Sequence, residues 1–563
     1  MRIKHLLTCL LIYSSIYSFA QNEEPKKEDK GELSGNFQTT NQFYVKDDKI
    51  GASTTQYLHE LSSADAWLFL NYKYSGYNFN LRYDLFNNSP LLNPQEAYTA
   101  SGLGFWNISK NINKLNVTIG SFYDQFGTGT IFRSFEDRNL GVDYAIQGAR
   151  VIWTPNNDTK IKAFTGRQKY RFDVRPEIIK GVNAERHFQV NENIGLDVGA
   201  SAVNRTIDPT TMANIAAAIN NYDSISYRFY PTYNVYAFNA YNTLSYKRFS
   251  LYTEYCYKTP EAILNSQLDR MQLLSGRVYY ASLSYSTKGF GINTQFKKIE
   301  SFSFRTSPLE IQNLGLITYL PSITRQNTYR LLARYNAVAQ ELGENAAQAE
   351  ITYKPQTAYF KKHMTTLNMN ISVVTGPRSF NFDGNALNLS DFKADTSRYF
   401  REYYFDISHK FNKKFKMLVG YQNINYNQRL FENKAQGTPY VLAQCVFGEA
   451  TYKVTPTKSV RMEAQYLDTK QDMGSFVNAL VEFNVAPHYS FSAGDMLNIS
   501  KGYINAENFE QVHYWNVFGA YTFGPTRFTA GFIKQVAGVN CTGGVCRVEP
   551  AFSGAKVTLT TNF

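Results

Sequence analysis

Short runs of alternating apolar and polar residues, joined by tight turns, recur along this chain of 563 residues and limit what it can fold into. In Tyr77–Phe86, the side chains of Tyr77, Phe79, Leu81, Tyr83 and Leu85 share one face of a strand, and Asn78, Asn80, Arg82 and Asp84 share the other. The reason is that successive side chains of a strand point to opposite sides. The partner run Trp67–Tyr74 precedes it through Ser75-Gly76. The same unit returns at 235–257, 278–299, 403–426 and 514–534, around turns such as Lys247-Arg248 and Gly524-Pro525-Thr526. Between the units lie long polar loops, at 87–101, 124–141, 205–231, 259–276, 301–346, 376–401, 428–439, 498–512 and 538–554. Short and long connections therefore alternate, so the long ones gather on one side. A soluble sandwich has no reason for that asymmetry, whereas a transmembrane barrel has short periplasmic turns and long extracellular loops. The expected fold is all-β, a single large antiparallel transmembrane β-barrel of about 22–24 strands whose first strand begins near Leu33.

Composition fits this reading. The mean hydropathy is −0.37, and no apolar run past the first residues is long enough to cross a bilayer as a helix, which takes roughly 20 residues. A barrel needs none, because only alternate residues face lipid. Aromatics are abundant, with 42 Tyr and 41 Phe, as interfacial girdles require. The net charge of +12 is dispersed rather than clustered. In an exported chain it suits a lumen wall or anionic lipopolysaccharide, not nucleic acid.

Both ends carry address information. Residues 1–20 read as a signal peptide: Arg2 and Lys4, an apolar core from Leu6 to Ile16, and the small-x-small site Ser18-Phe19-Ala20. Residues 21–31 are charged and read as a flexible periplasmic tail, leaving 32–563 for the barrel. At the other end Ala555, Val557, Leu559, Thr561 and Phe563 project to one side of a final strand. Val557, Leu559 and Phe563 resemble the C-terminal signal read by the bacterial barrel-assembly machinery, and Thr561 departs from it.

Cys541 and Cys546 flank Thr-Gly-Gly-Val in the last long loop and are a candidate disulfide for an exported chain. Cys256 and Cys445 fall in separate strands and are expected to be free. Lumen-facing charges of both signs are expected, Arg82, Arg150, Lys258, Lys297 and Arg461 beside Asp84, Glu254, Glu350, Asp406 and Glu463, pairing across strands as a solvated wall. The densest group is Arg133-Ser134-Phe135-Glu136-Asp137-Arg138, after Gly127-Thr128-Gly129-Thr130. This loop either folds inward, with Arg133, Glu136, Asp137 and Arg138 as a lumen constriction, or stays outside with local ion pairs. Short helices are expected at 211–219 and near 331–342. Seven His are scattered, and no zinc motif, nucleophile elbow or phosphate loop occurs. No enzyme activity, cofactor or metal is expected.

The stretches Phe126–Arg138, Leu140–Tyr144 and Gly543–Arg547 through Phe563 resemble a group of outer-membrane proteins of the Bacteroidota that has no assigned biochemical function. The resemblance runs over nearly the whole mature chain and implies location and fold. The function expected from the residues is a porin-like channel or passive transporter for small solutes in the outer membrane of a Gram-negative bacterium. The alternative is a loop-plugged accessory barrel that docks a lipoprotein or secretion component. Expected partners are outer-membrane lipids, lipopolysaccharide and the barrel-assembly machinery. A plug-bearing receptor is disfavoured, because strands start too early to leave room for an N-terminal plug.

Overall fold

The computed structural model describes residues 31–53, 55–91, 97–265, 270–377, 398–432, 440–502, 510–542 and 545–563, without the side chains of Thr55, Gln56, Asn265 and 539–548. The expected signal peptide, and all of the tail except Gly31, lie outside the described residues.

Twenty-four strands form one sheet. Each pairs antiparallel with the next in chain order, from Glu32–Tyr44 and Ser62–Tyr74 round to Thr526–Gln535 and Phe552–Asn562. The first strand then pairs with the last, Asn36 opposite Asn562 and Thr40 opposite Thr558. The sheet is therefore a closed antiparallel barrel, which removes every edge that would otherwise expose unpaired backbone. The terminal residue completes the closure. Gly35 N donates to Phe563 O at 2.7 Å, and Phe563 N donates to Gly35 O at 3.0 Å. A Cβ on Gly35 would lie 2.4 Å from the Phe563 ring, so the ring occupies the space glycine leaves open.

The two ends of the barrel differ as the alternation predicts. At one end the turns are short, among them Ser75-Gly76, Lys247-Arg248 and Lys288-Gly289. The one longer connection there, 354–365, carries the short helix Ala358–Lys362. At the other end lie the long connections, including 123–145, 207–233 and 301–342, with a tight one at Arg171-Phe172.

Of three local expectations, two need correction. The stretch 259–276 is mostly strand, because Phe249–Asn265 and Arg270–Thr287 continue pairing to Asn265 opposite Arg270. Pro260 sits where the register shifts between Lys258 and Glu261, and a bulge tolerates a residue that has no N–H to give. The expected helix at 211–219 exists as Pro209–Asn220, capped by Asp208. The one expected near 331–342 does not form. A single turn forms, with Ala333 N on Tyr329 O at 2.9 Å, and Leu331, Leu332 and Tyr335 are buried, so the chain follows the wall instead of continuing as a helix.

Outward-facing residues are apolar, with Leu81, Leu85, Val446, Met462 and Val481 exposed along the middle of the wall. Exposed aromatics flank this band, Tyr72, Tyr74 and Tyr77 near the short turns and Tyr236, Tyr466 and Trp515 near the long loops. Among the described residues no helix is long and apolar enough to cross a membrane. The strands supply the apolar surface instead.

Candidate functional site: an occupied lumen

Two connections from the long-loop end fold back into the barrel. The first is 123–145. Gly127 and Gly129 hold φ of 54° and 95°, a left-handed conformation that side chains disfavour. The turn brings Thr128 to the wall, where its N–H and hydroxyl donate to Glu254 Oε2 at 3.0 and 2.6 Å. Asn239 and Tyr252 donate to the same carboxylate at 2.6 and 2.7 Å. Phe126, Ile131 and Phe132 are buried against the inner-face residues Phe122, Phe164 and Ile179.

The charged group after this turn pairs with the wall. Arg82 is 3% exposed and donates to Asp84 at 2.7 Å, Glu136 at 2.6 Å and Asp143 at 2.7 Å. Lys169 meets Asp143 at 2.6 Å, and Arg138 meets Glu136 at 3.0 Å. Three cations thus face three carboxylates, the condition under which buried charge is tolerated. Burial opposes ionisation of Asp143, but Lys169 and Arg82 outweigh it and hold its carboxyl below the usual carboxylate range. Burial, with the neighbouring Asp143 and Glu136 charges, pushes the Tyr123 phenol well up.

The second connection, 301–342, crosses the whole lumen. Its first part runs alongside the 123–145 loop. Arg133 N donates to Ile317 O at 2.9 Å, Tyr319 N donates to Gly129 O at 3.0 Å, and the Arg133 guanidinium lies 3.8 Å over the Tyr319 ring. Phe302, Phe304, Ile317 and Leu320 pack with the wall residues Val203, Val235, Cys256 and Val278. Its second part packs on the opposite wall, where Ile323, Leu331, Leu332 and Tyr335 meet Phe400, Ile424, Phe447, Leu467 and Tyr514. Each such buried side chain is worth about 1.5–3 kcal/mol over leaving it in water.

Polar contacts hold the segment to both walls. On one side Arg205 donates to Thr306 O at 3.0 Å and Gln168 to Leu316 O at 2.7 Å, and Arg175 pairs with Glu310. On the other, Arg325 meets Glu350 at 3.0 Å, Asn327 donates to Glu402 at 3.0 Å, and Tyr329 donates to Glu449 at 3.1 Å. Arg334 and the Tyr335 hydroxyl both reach Asp472 at 3.1 Å. The strands this segment leaves are met by the first loop, through Arg138 to Gln38 at 3.4 Å and over the Trp67 ring at 5.7 Å. Toward the short turns the inner wall stays polar, with Asn71, Asn78, Asn80 and Asn107 linked by 2.6–2.8 Å hydrogen bonds.

The sequence-derived residues take definite places. Arg133 stacks on Tyr319 and Phe135, Glu136 and Arg138 join the Arg82 group, and Asp137 caps the next turn through Asn139 N at 3.0 Å. Cys256 and Cys445 are free and buried, and Cys445 lies on the inner face with Ala443 and Phe447. Cys541 and Cys546 stand opposite each other in the hairpin Gly538–Thr542/Val545–Glu549, but their side chains lie outside the described residues. Val557 and Leu559 share the outward face with Phe563 next to the first strand. Reading 301–346 as a polar loop missed Arg325, Tyr329, Arg334 and Tyr335. The signal was present, since an exposed loop has no use for Phe302, Phe304, Ile317, Leu320, Leu331 and Leu332. Among the described residues no group of three or more His, Cys, Asp or Glu could hold a metal ion.

The chain belongs to a family of unknown function, DUF6029, whose model matches residues 1–563. No curated protein matches it. Solved structures with a similar arrangement include the copper transporter OprC, at 11% identity and a TM-score of 0.38, covering 96% of this chain and 82% of that one. The siderophore receptor PirA from Pseudomonas aeruginosa aligns at 8% identity and 0.40, with 96% and 82% covered. The P pilus usher (PapC) translocation pore aligns at 10% identity and 0.40, with 94% and 99% covered. At these values the likeness transfers no function.

Proposed function

We propose that this member of DUF6029 is an integral barrel of the outer membrane of a Gram-negative bacterium, closed by its own loops, that serves as an accessory barrel docking a lipoprotein or secretion component. The exposed apolar band between aromatic rows supports the membrane setting. The reading includes export through residues 1–20, recognition of Val557, Leu559 and Phe563 by the barrel-assembly machinery, and a Cys541–Cys546 disulfide at the outer tip. Placement among Bacteroidota outer-membrane proteins, with lipopolysaccharide around the wall, belongs to it as well. No catalysis is assigned.

One observation carries the choice of accessory barrel over passive channel. Segment 301–342 contributes buried side chains to the apolar clusters of both lumen walls. A porin-like passage requires this segment to leave the lumen, exposing all of those side chains together. Docking is tested by purifying the tagged protein from its own membrane in a mild detergent. A stoichiometric protein partner is expected. Recovery as free monomer alone would overturn the docking role.

A further inference from the structure

The cations of the short-turn rim are densest on one side. Lys247-Arg248, Lys288, Lys354, Lys361-Lys362 and Lys413-Lys414 occupy successive turns from residue 247 to residue 414, and those turns contain no Asp or Glu. The turns are adjacent in space. Ser286 N bonds to Arg248 O at 3.2 Å, Lys354 N to Gly289 O at 2.7 Å, and Lys410 N to His363 O at 2.8 Å. All eight cations are exposed, and among the described residues none makes an ion pair. Elsewhere on this rim the turns bring acids, Asp158 and Glu192, the single cation Lys114, or no charge within the turn, as at Ser75-Gly76 and Gly524-Pro525, with Lys453 and Lys458 flanking the turn 454–457.

The helix Ala358–Lys362 fixes where this arc points. His363 stacks on His409 at 5.0 Å, Tyr359 lies 6.1 Å from the same ring, and Thr365 Oγ1 is 2.8 Å from His409 Nδ1. His409 projects outward, since its neighbours Asp406 and Ser408 are buried on alternate, inner positions and Phe411 continues its face. The helix therefore lies against the outside of the wall, at the edge of the apolar band, and not beneath the lumen. Tyr359 is 59% exposed and Met364 65%, beside Lys361 and Lys362. Aromatic and apolar side chains interleaved with lysines at that level match an interfacial helix, which buries rings among headgroups while cations meet phosphates.

We propose that this arc, from Lys247 to Lys414 with the 358–364 segment at its centre, is a binding site for anionic phospholipid headgroups of the leaflet at the short-turn end. The inference rests on the membrane-spanning reading above. The site holds the barrel in a fixed lateral setting, because the rest of the rim carries fewer cations and also the acids Asp158 and Glu192.

The test is lipid retention by the full-length protein, measured by native mass spectrometry after reconstitution in phosphatidylcholine, with or without phosphatidylglycerol. Wild type is expected to retain phosphatidylglycerol roughly tenfold over phosphatidylcholine, and a K354Q/K361Q/K362Q/K413Q/K414Q variant to lose that preference. A Y359S/M364S variant should weaken retention of both lipids, and K114Q, outside the arc, should change nothing. Heat-modifiable mobility on gels confirms that each variant folds. Equal retention of the two lipids by wild type would overturn the site and leave the arc to an acidic protein surface. Failure of wild type to enter bilayers of either composition would overturn the membrane reading and the site together.

Discussion

At the residue scale, the ladder that closes the barrel ends on a pair of residues 528 positions apart in sequence, Gly35 and Phe563. The terminal ring stands where a Cβ at position 35 would lie, and the backbone at Phe69 O is 2.9 Å from that point. Gly35→Val is expected to displace the ring and destabilise the folded barrel by about 1–3 kcal/mol, with Gly35→Ala between it and wild type. The urea midpoint of the folded, heat-modifiable band measures this. An unchanged midpoint for Gly35→Val would show that the ring does not need the slot. The outward face of Val557, Leu559 and Phe563 was legible from alternation alone, because side-chain direction in a strand is fixed by its period. Gly35 was not, because its role depends on which strand lies beside it.

At the element scale, the loop 123–145 is held by charge as well as by apolar packing. Asp143 joins Arg82, Lys169 and the Tyr123 hydroxyl, the last at 2.9 Å. Its folded pKa lies below the unfolded value of about 3.9. Its stabilising contribution is therefore complete above that value and is lost as pH falls through the lower folded one. Melting of wild type should weaken with acid below about pH 4. Asp143→Asn should be less stable at neutral pH and show a smaller loss on acidification, read from melting temperature against pH. An equal acid response in both proteins would remove Asp143 from the lock. The tight hairpins were legible in the sequence, since their turns carry Gly, Lys and Asn between period-two runs. The strand ends around Pro260 were not, because proline reads as a break where a bulge absorbs it. The charged group Arg133–Arg138 was visible as a cluster, but its direction was not. That direction is set by Arg82 and Lys169 on distant strands.

At the scale of the whole molecule, alternation and turn asymmetry were enough for a barrel of the right size, because a closed sheet is what satisfies the backbone of many such strands in lipid. Whether the lumen was open was not legible from strand pattern. It depends on a connection whose apolar residues lack any period, and which only the closed wall gives a surface to pack on. Glu300 and Gly343 face each other across the mouth of that connection, so residues 303–340 can be replaced by a short Gly-Ser linker without opening the sheet. Single-channel conductance in planar bilayers tests the sealed lumen most directly. The wild-type protein is expected to show no steady conductance, and the linker variant a large, persistent one. A wild-type protein that conducts steadily at the level of the linker variant would contradict a lumen closed by 301–342.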